Sequence, residues 1–165
     1  MTPQRNDLCA ACLSRPAERL VLAGLRGWLA GYSTGDIACW EAVWNEHAKH
    51  LGPQRAKPVM TELSALVRVL CQESQQPVDF YPPCCRGMCR DECLALGMVT
   101  GCQMAAWGPA RAAACALVGA AGEERVLECG RDYATALAGA DLRLGAVGPR
   151  LLWQTGFLPP ETGPN

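Results

Sequence analysis

Apolar residues recur every three or four positions along most of this chain, which is the spacing of helices that bury one face. No stretch alternates between apolar and polar residues for long enough to suggest a half-buried strand. The pattern therefore predicts an all-α fold, a single-domain helical bundle of about five to six helices.

The predicted helices are bounded by residues that commonly start or stop a helix. Helix one begins near Pro16, because proline is tolerated in a first turn, and it breaks over 31–35. Helix two starts at an Asp36 N-cap, with Thr34 as the competing cap, and ends at Gly52. The other predicted spans are 54–74 for helix three, with its regular part from 58, a helix four that ends at 108–109, 110–120 for helix five, and 123–144 for helix six.

Each of the longer predicted helices carries an apolar face. The positions predicted to be buried are Val21, Leu25, Trp28, Leu29 and Tyr32 in helix one; Ile37, Trp40, Val43, Trp44, His47 and Leu51 in helix two; Val59, Leu63, Leu66, Val67 and Leu70 in helix three; Leu94, Met98, Val99, Cys102 and Trp107 in helix four; and Val126, Tyr133, Leu137, Ala140 and Leu144 in helix six. Packed together, these faces would form one core.

The chain divides into three parts. Residues 1–14 are polar and predict a flexible amino-terminal arm, residues 15–144 form the helical bundle domain, and residues 145–165 are a carboxy-terminal tail with apolar residues among prolines and glycines. A proline-rich segment at 75–83 excludes a continuous helix and leads into a cysteine loop between two helical halves.

Length and charge exclude several classes of protein. The 165 residues fit one domain, and a formal net charge of −1 gives no global field to attract nucleic acid or an anionic membrane. The chain has no apolar run of about eighteen residues that would predict a membrane span. The first residues lack the apolar core of a secretory signal, so we expect a cytoplasmic protein of bacterial type whose thiols are kept reduced.

Cysteine is the residue type that points to chemistry. Eleven are present, an odd number, and four of them lie within residues 84–93. A Cys-x-x-Cys pair at 9–12 has the spacing of a zinc or iron–sulfur half-site, and the central four offer the other half. The sequence therefore predicts a site for zinc or an iron–sulfur cluster, with copper(I) less favoured. The predicted metal ligands are Cys9, Cys12, Cys84, Cys85, Cys89 and Cys93.

Two conformations of the central cluster are compatible with the sequence. If 84–93 were helical, Cys85, Cys89 and Cys93 would drift by only about 40° per step and would line one face. The preceding prolines favour instead a loop up to residue 88, with a helix that opens near Cys89 on an acidic first turn. In that case Cys89 lies at a helix N-terminus between two arginines, where we expect a lowered thiol pKa.

Packing alone accounts for other reactive side chains. Unpaired cysteine is among the most buried residue types, so lone cysteines in helices are predicted to fill the core. These cysteines are Cys39, Cys71, Cys102, Cys115 and Cys129. His47 is predicted to pack beside Trp40 and Trp44 with a satisfied hydrogen bond, and His50 to lie at the helix edge. A metal pair formed by the two histidines is the less favoured alternative.

Three hypotheses about function follow. The first is a regulatory or accessory protein, not an enzyme, with a cysteine-based metal-binding or thiol-redox site and a protein partner. The second is a helical interaction module without metal, which contacts its partner through the apolar tail or an open groove of the bundle. The third is a thiol oxidoreductase that uses Cys89 as the attacking thiol. The oligomeric state does not follow from the sequence.

Overall fold

The computed structural model describes residues 13–145, and residues 1–12 and 146–165 lie outside the described part. Within 13–145 the chain forms six α-helices and no strand, so the predicted all-α bundle is confirmed. The helices are α1 Pro16–Thr34, α2 Ile37–Leu51, α3 Pro53–Glu73, α4 Arg90–Gln103, α5 Trp107–Val118 and α6 Glu123–Gly139. The predicted arm and tail fall almost entirely outside this range, and their boundaries stay predictions.

The turn between α1 and α2 follows local capping rules. α1 begins at Pro16, as predicted, but it runs through Gly31 and ends only at Thr34. Gly35 then adopts a left-handed conformation with φ 72°, which a residue without Cβ adopts readily. The Asp36 side chain accepts the backbone N–H of Ala38 at 2.9 Å, so Asp36 is the N-cap of α2.

α4 ends at Gln103 and does not continue to 108–109 as predicted. Ala105 takes a left-handed conformation with φ 55°, and the Ala106 N–H bonds to the Gly101 carbonyl at 2.8 Å. This is a Schellman motif, in which the left-handed position is usually glycine. The stop was therefore missed because alanine occupies a position that sequence rules assign to glycine, and α5 begins early, at Trp107.

Two further boundaries differ from the prediction. α6 ends at Gly139, five residues before the predicted 144, because Asp141 is left-handed with φ 61° and a backbone bond from Leu142 closes the last turn. α3 begins at Pro53 and continues through Pro58, so its regular part starts before the predicted residue 58. Pro58 is the sixth residue of the helix, beyond the first turn, so it removes one i→i−4 hydrogen bond without ending the helix.

α1 and α2 approach closely because two glycines of α1 face the larger side chains of α2. A methyl group at Gly27 would overlap Val43, and one at Gly31 would overlap the ring of Trp40. The ring of Trp40 stacks on that of Trp28, with 5.7 Å between the ring centroids. The helical spacing of these residues therefore packs the two helices against each other.

The predicted buried faces form most of the core, but Trp28, Trp40, Trp44 and Leu51 are only half-buried and three further positions are exposed. Every predicted position of helix three and helix six is buried. Ile37 is 64% exposed, Trp107 45% and Tyr32 41%, so the prediction is wrong for these three. They lie in the first or last turn of their helices, where the apolar face extends beyond the neighbouring helix that would bury it.

The bundle consists of two halves. One half is α1 to α3 and the other is α4 to α6; α3 packs against α6 and, less extensively, against α5, and α1 packs against α4. Residues 74–89 connect the halves without helix. No helix within residues 13–145 is both long and apolar enough to span a bilayer.

Replacement of Ala105 with glycine should stabilise the protein. The left-handed conformation costs an L-residue about 1–2 kcal/mol, so we expect Ala105→Gly to raise the free energy of unfolding by about 1 kcal/mol. Urea denaturation measures the change. The matched control is Ala42→Gly, at an exposed position inside α2, which should lower stability by about 1 kcal/mol. A loss of stability in both variants would contradict the strained conformation.

Candidate functional site

A buried ion pair joins the two halves of the bundle next to the cysteine cluster. Arg26 of α1 and Glu92 of α4 have side chains that are only 4% and 2% exposed. The guanidinium binds the carboxylate through two bonds, Nε to Oε1 at 2.6 Å and Nη2 to Oε2 at 3.1 Å. This bidentate geometry is the strong form of an arginine–carboxylate contact.

The same guanidinium also holds the cysteine loop. Arg26 Nη1 donates to the backbone carbonyl of Cys85 at 2.8 Å, and Nη2 donates to that of Gly87 at 2.6 Å. Buried arginine is costly unless its donors are satisfied, and these carbonyls supply acceptors that the carboxylate cannot. The path of the loop from 85 to 87 is therefore fixed by a residue of α1.

Glu92 extends the arrangement to both ends of the loop. Its carboxylate accepts the backbone N–H of Tyr81 at 2.9 Å and that of Cys89 at 3.0 Å. Glu92 is the third residue of α4 and Cys89 is its N-cap, which is the arrangement of a capping box. The Arg26–Glu92 pair thus gathers residues 81–92 around one buried centre. The sequence predicts that Glu92 lies in the first turn of a helix, but it does not predict the partner 66 residues away.

Cys89 lies in a different environment from the one predicted. α4 begins at Arg90, so the conformation with a loop followed by a helix near Cys89 is confirmed. The thiol is buried, with 8% of the residue exposed, and its Sγ donates to the Asp79 carbonyl at 3.3 Å. Burial raises the pKa of Cys89, and a hydrogen bond from the Glu92 backbone opposes the rise without cancelling it. The predicted lowering of the pKa is wrong, which removes the support for Cys89 as an attacking thiol.

The four central cysteines point in two directions. Cys93 is 1% exposed within the hydrophobic core, beside the buried Cys89. Cys84 is exposed and Cys85 half-buried. These two lie in a tight turn in which the Cys85 N–H bonds to the Pro82 carbonyl at 3.0 Å. Within residues 13–145, no three His, Cys, Asp or Glu side chains lie together in a way that could hold a metal ion.

The two outward cysteines lie at the edge of a groove of about 610 Å³ beside α1. We call it the α1 groove; its walls include Leu13 and Ser14, then Pro16, Arg19, Leu20 and Ala23 of α1, Glu46 and His50 of α2, and residues 83–86. Arg19 Nη1 donates to the carbonyls of Leu13 at 3.3 Å and Ser14 at 3.1 Å. The chain therefore enters the bundle along this groove. Two predicted ligands, Cys9 and Cys12, lie outside the described residues.

The lone cysteines are less buried than predicted. Among them only Cys102 is buried, and burial raises its pKa to about 11. Cys71 is exposed on α3, and the remaining three are half-buried, so the prediction of core packing is wrong for Cys71. A cysteine fits the surface of a helix as well as a core. A single cysteine forms no periodic pattern, so the sequence does not distinguish the two positions.

The two histidines occupy the positions that packing predicts. His47 is fully buried, and its Nδ1 bonds to the Val43 carbonyl at 2.9 Å. Its Nε2 has no partner in the described part of the chain. His50 is exposed, with Nδ1 at 2.8 Å from the Glu46 carbonyl. The inward and outward orientations of the two rings give no support to a histidine metal pair.

Comparison with known proteins identifies no relative. No protein-family model matches this chain, and no curated protein or solved structure is significantly similar to it. The geometry of the site must therefore support the functional argument by itself.

Removal of Arg26 should destabilise the protein far more than removal of a surface arginine. Arg26→Met leaves the Glu92 carboxylate buried without a counter-charge, so we expect the free energy of unfolding at neutral pH to fall by about 3–5 kcal/mol. Arg55→Met removes the exposed Arg55–Asp141 pair, with side chains 58% and 82% exposed, and should cost less than about 1 kcal/mol. Urea denaturation compares the two. Equal losses would show that the buried pair does not organise the fold.

Acid should destabilise the protein through His47. Burial lowers the pKa of His47, although the Val43 carbonyl and Glu46 oppose the change. The unfolded chain therefore takes up this proton first as the pH falls below about 6.5, and the folded state loses stability down to the lowered pKa. We expect the slope of unfolding free energy against pH to be shallower in His47→Met between pH 6.5 and pH 5. An unchanged slope in His47→Met would refute the assignment.

Proposed function

We propose that this chain is a small helical accessory protein that binds one zinc ion through cysteine thiolates at the edge of the α1 groove. The ligands are Cys9, Cys12, Cys84 and Cys85. One observation carries the proposal: the two outward central thiols line the same groove as Leu13, and Leu13 directly follows Cys12 in the chain.

The held position of Leu13 limits where Cys12 can be. Adjacent Cα atoms are about 3.8 Å apart, so the peptide link to Leu13 is the reason to include Cys12 in the proposed ligand set. The two carbonyl bonds from Arg19 fix residues 13 and 14 against α1. A Cys-x-x-Cys pair presents both sulfurs within about one turn of chain, so Cys9 is available to the same ion.

The opposite pair of ligands is held by the buried centre. Arg26 binds the backbone carbonyl of Cys85, and the turn bond from Cys85 to Pro82 restricts the chain on the other side. Ligands on a fixed backbone lose less conformational entropy when an ion binds. This supports Cys84 and Cys85 as the anchored half of the site and the arm as the half that closes on the metal.

The proposal leaves Cys89 and Cys93 out of the ligand set. A ligating sulfur must be a thiolate with room for an ion beside it. The thiol of Cys89 is engaged with Asp79 and has a raised pKa, and Cys93 lies in the core. Four thiolates in tetrahedral arrangement favour zinc, and the same ligands also suit an iron–sulfur cluster.

Metal content tests the proposal. Protein purified without oxygen should carry about one zinc per chain by elemental analysis, with no visible absorption. The double variant Cys84→Ser with Cys85→Ser, and the double variant Cys9→Ser with Cys12→Ser, should each lose the metal, because two thiolates remain in either case. A brown sample with visible absorption would replace zinc by an iron–sulfur cluster.

The controls separate the site from cysteine content in general. Cys71→Ser removes an exposed thiol that lines another groove, and it should leave zinc content unchanged. Cys89→Ser should also retain the metal. A metal-free wild-type protein, or metal that survives in the double variant at 84 and 85, would overturn the proposal.

A further inference from the structure

Positive charge exceeds negative charge in the α1 groove. Besides the two cysteines, the ionisable side chains that line it are Arg19, Arg26, Glu46, His50 and Arg86. The charge of Arg26 is matched by its buried carboxylate partner, and the Glu46 carboxylate lies 3.4 Å from His50. Arg19 and Arg86 are exposed and form no ion pair with any residue of 13–145. Two guanidinium groups are therefore open to an anionic ligand.

The loop places one of these arginines directly after the two outward thiols. Arg86 follows Cys84 and Cys85 in the chain, and all three residues line the groove. Arg26 binds the backbone carbonyls on both sides of Arg86, at Cys85 and Gly87. The backbone at residue 86 is therefore held in one position, and its guanidinium starts from a fixed point beside the thiols.

Arg19 supplies the second guanidinium, from the α1 wall. Its Nη1 bonds to the carbonyls of residues 13 and 14, and no other nitrogen of Arg19 has a partner within 13–145. The neighbouring acid, Glu18, is buried and engaged elsewhere: it accepts from Arg15 at 3.1 Å and from the N–H of Gly145 at 2.6 Å, where the chain leaves the bundle. Arginine carries five N–H donors in a planar fork that fits a carboxylate. Arg19 can therefore bind a carboxylate while it holds the entering chain.

The exposed thiol on α3 has different surroundings. Cys71 lines a second groove, of about 410 Å³. The residues that line this groove are apolar or polar without charge, and none of them is Asp, Glu, Lys or Arg. Exposure of a thiol on this bundle is thus separate from positive charge, and the α1 groove combines the two.

We propose that the α1 groove binds a small anionic disulfide of the glutathione type and that Cys84 forms a mixed disulfide with it. Arg19 and Arg86 attract the carboxylates of the ligand. The groove volume of about 610 Å³ is within the range of pockets that bind small molecules. The inference goes beyond the proposed zinc site and does not depend on it, because the exchange needs a free thiol and no metal.

The reaction is a thiol–disulfide exchange. Cys84 loses its proton to solvent, and the thiolate attacks one sulfur of the bound disulfide. A bond forms between Cys84 Sγ and that sulfur, and the disulfide bond of the ligand breaks. The other half of the ligand leaves as a thiolate and takes up a proton. Cys84 is oxidised and the departing half is reduced, so the bound disulfide is the only oxidant that the step needs.

The neighbouring thiol of Cys85 is poorly placed to displace the bound half. Disulfide-bonded cysteines usually have Cα atoms about 4.4–6.8 Å apart. Adjacent residues are held at about 3.8 Å by the trans peptide between them. A disulfide between Cys84 and Cys85 would therefore be strained. Cys84 should keep the ligand half until an external thiol reduces it, so the product is a lasting modification.

Competition between Cys84 and Cys71 tests the inference. The full chain, reduced and treated with chelator, is exposed to glutathione disulfide or to uncharged hydroxyethyl disulfide, and tandem mass spectrometry locates the modified thiols. Burial raises the pKa of Cys71, so the uncharged reagent corrects for differences in thiol pKa and access. We expect Cys84 to react severalfold faster than Cys71 with glutathione disulfide after this correction, and the preference to fall in high salt. A corrected ratio near one would overturn the inference.

Charge variants identify the groups that attract the ligand. Arg86→Gln and Arg19→Gln should each lower the corrected Cys84 preference severalfold, while the rate with hydroxyethyl disulfide stays unchanged. The matched control is Arg131→Gln, at an exposed position of α6 outside the groove, which should keep the preference. Cystamine, a disulfide with two ammonium groups, should give the opposite preference. A wild-type preference in both groove variants would refute the roles of the two arginines.

The fate of the product and of the metal separates the remaining possibilities. Cys85→Ser should form the same adduct at Cys84 with the same stability as the wild-type chain. Spontaneous loss of the ligand half from the wild type, with a bond between Cys84 and Cys85 in its place, would overturn the lasting modification. Zinc in the purified protein without a Cys84 preference would refute only the exchange, whereas the preference without zinc would refute only the metal site.

Discussion

The buried pair of Arg26 and Glu92 is the interaction on which the rest of the structure depends. Two charges removed from water gain stability only when geometry and additional hydrogen bonds offset the cost of desolvation. Here one guanidinium makes bonds to a carboxylate and to two carbonyls, and that carboxylate accepts two backbone N–H groups as well. A single centre therefore fixes a helix of each half and the connection between them.

The orientation of the reactive side chains follows from this centre. Because the backbone at Cys85 is drawn to Arg26, the turn before it directs the thiols at 84 and 85 to the surface. Because the carboxylate of Glu92 caps the N–H of Cys89, α4 starts there and its first turns bury the sulfurs at 89 and 93. One ion pair thus divides a dense group of cysteines into an inner pair that packs and an outer pair that is open to chemistry.

The sequence predicted the features that depend on neighbouring residues and missed those that depend on distant ones. The faces of helices three and six were predicted correctly, because burial of a regular stripe needs only its period. The early stops at Ala105 and Asp141 were missed, because the left-handed position of such a stop is most often glycine. The predicted shift in the pKa of Cys89 had the wrong sign. The sequence shows the helix position and the nearby arginines, but it does not show how deeply the thiol is buried. The role of Arg26 could not be predicted, because it depends on a contact with a residue 66 positions away in the sequence.

The first turn of α1 holds both the entering and the leaving chain, through Arg19 on one side and Glu18 on the other. Two segments attached to one structural unit obey thermodynamic linkage: any coupling between them has a single free energy, whichever segment is changed first. If ordering of the amino-terminal side changes the equilibrium of the carboxy-terminal side by some factor, then ordering of the carboxy-terminal side changes the equilibrium of the amino-terminal side by the same factor. One helical turn is thus the place through which any coupling between the segment that enters the bundle and the segment that leaves it would pass.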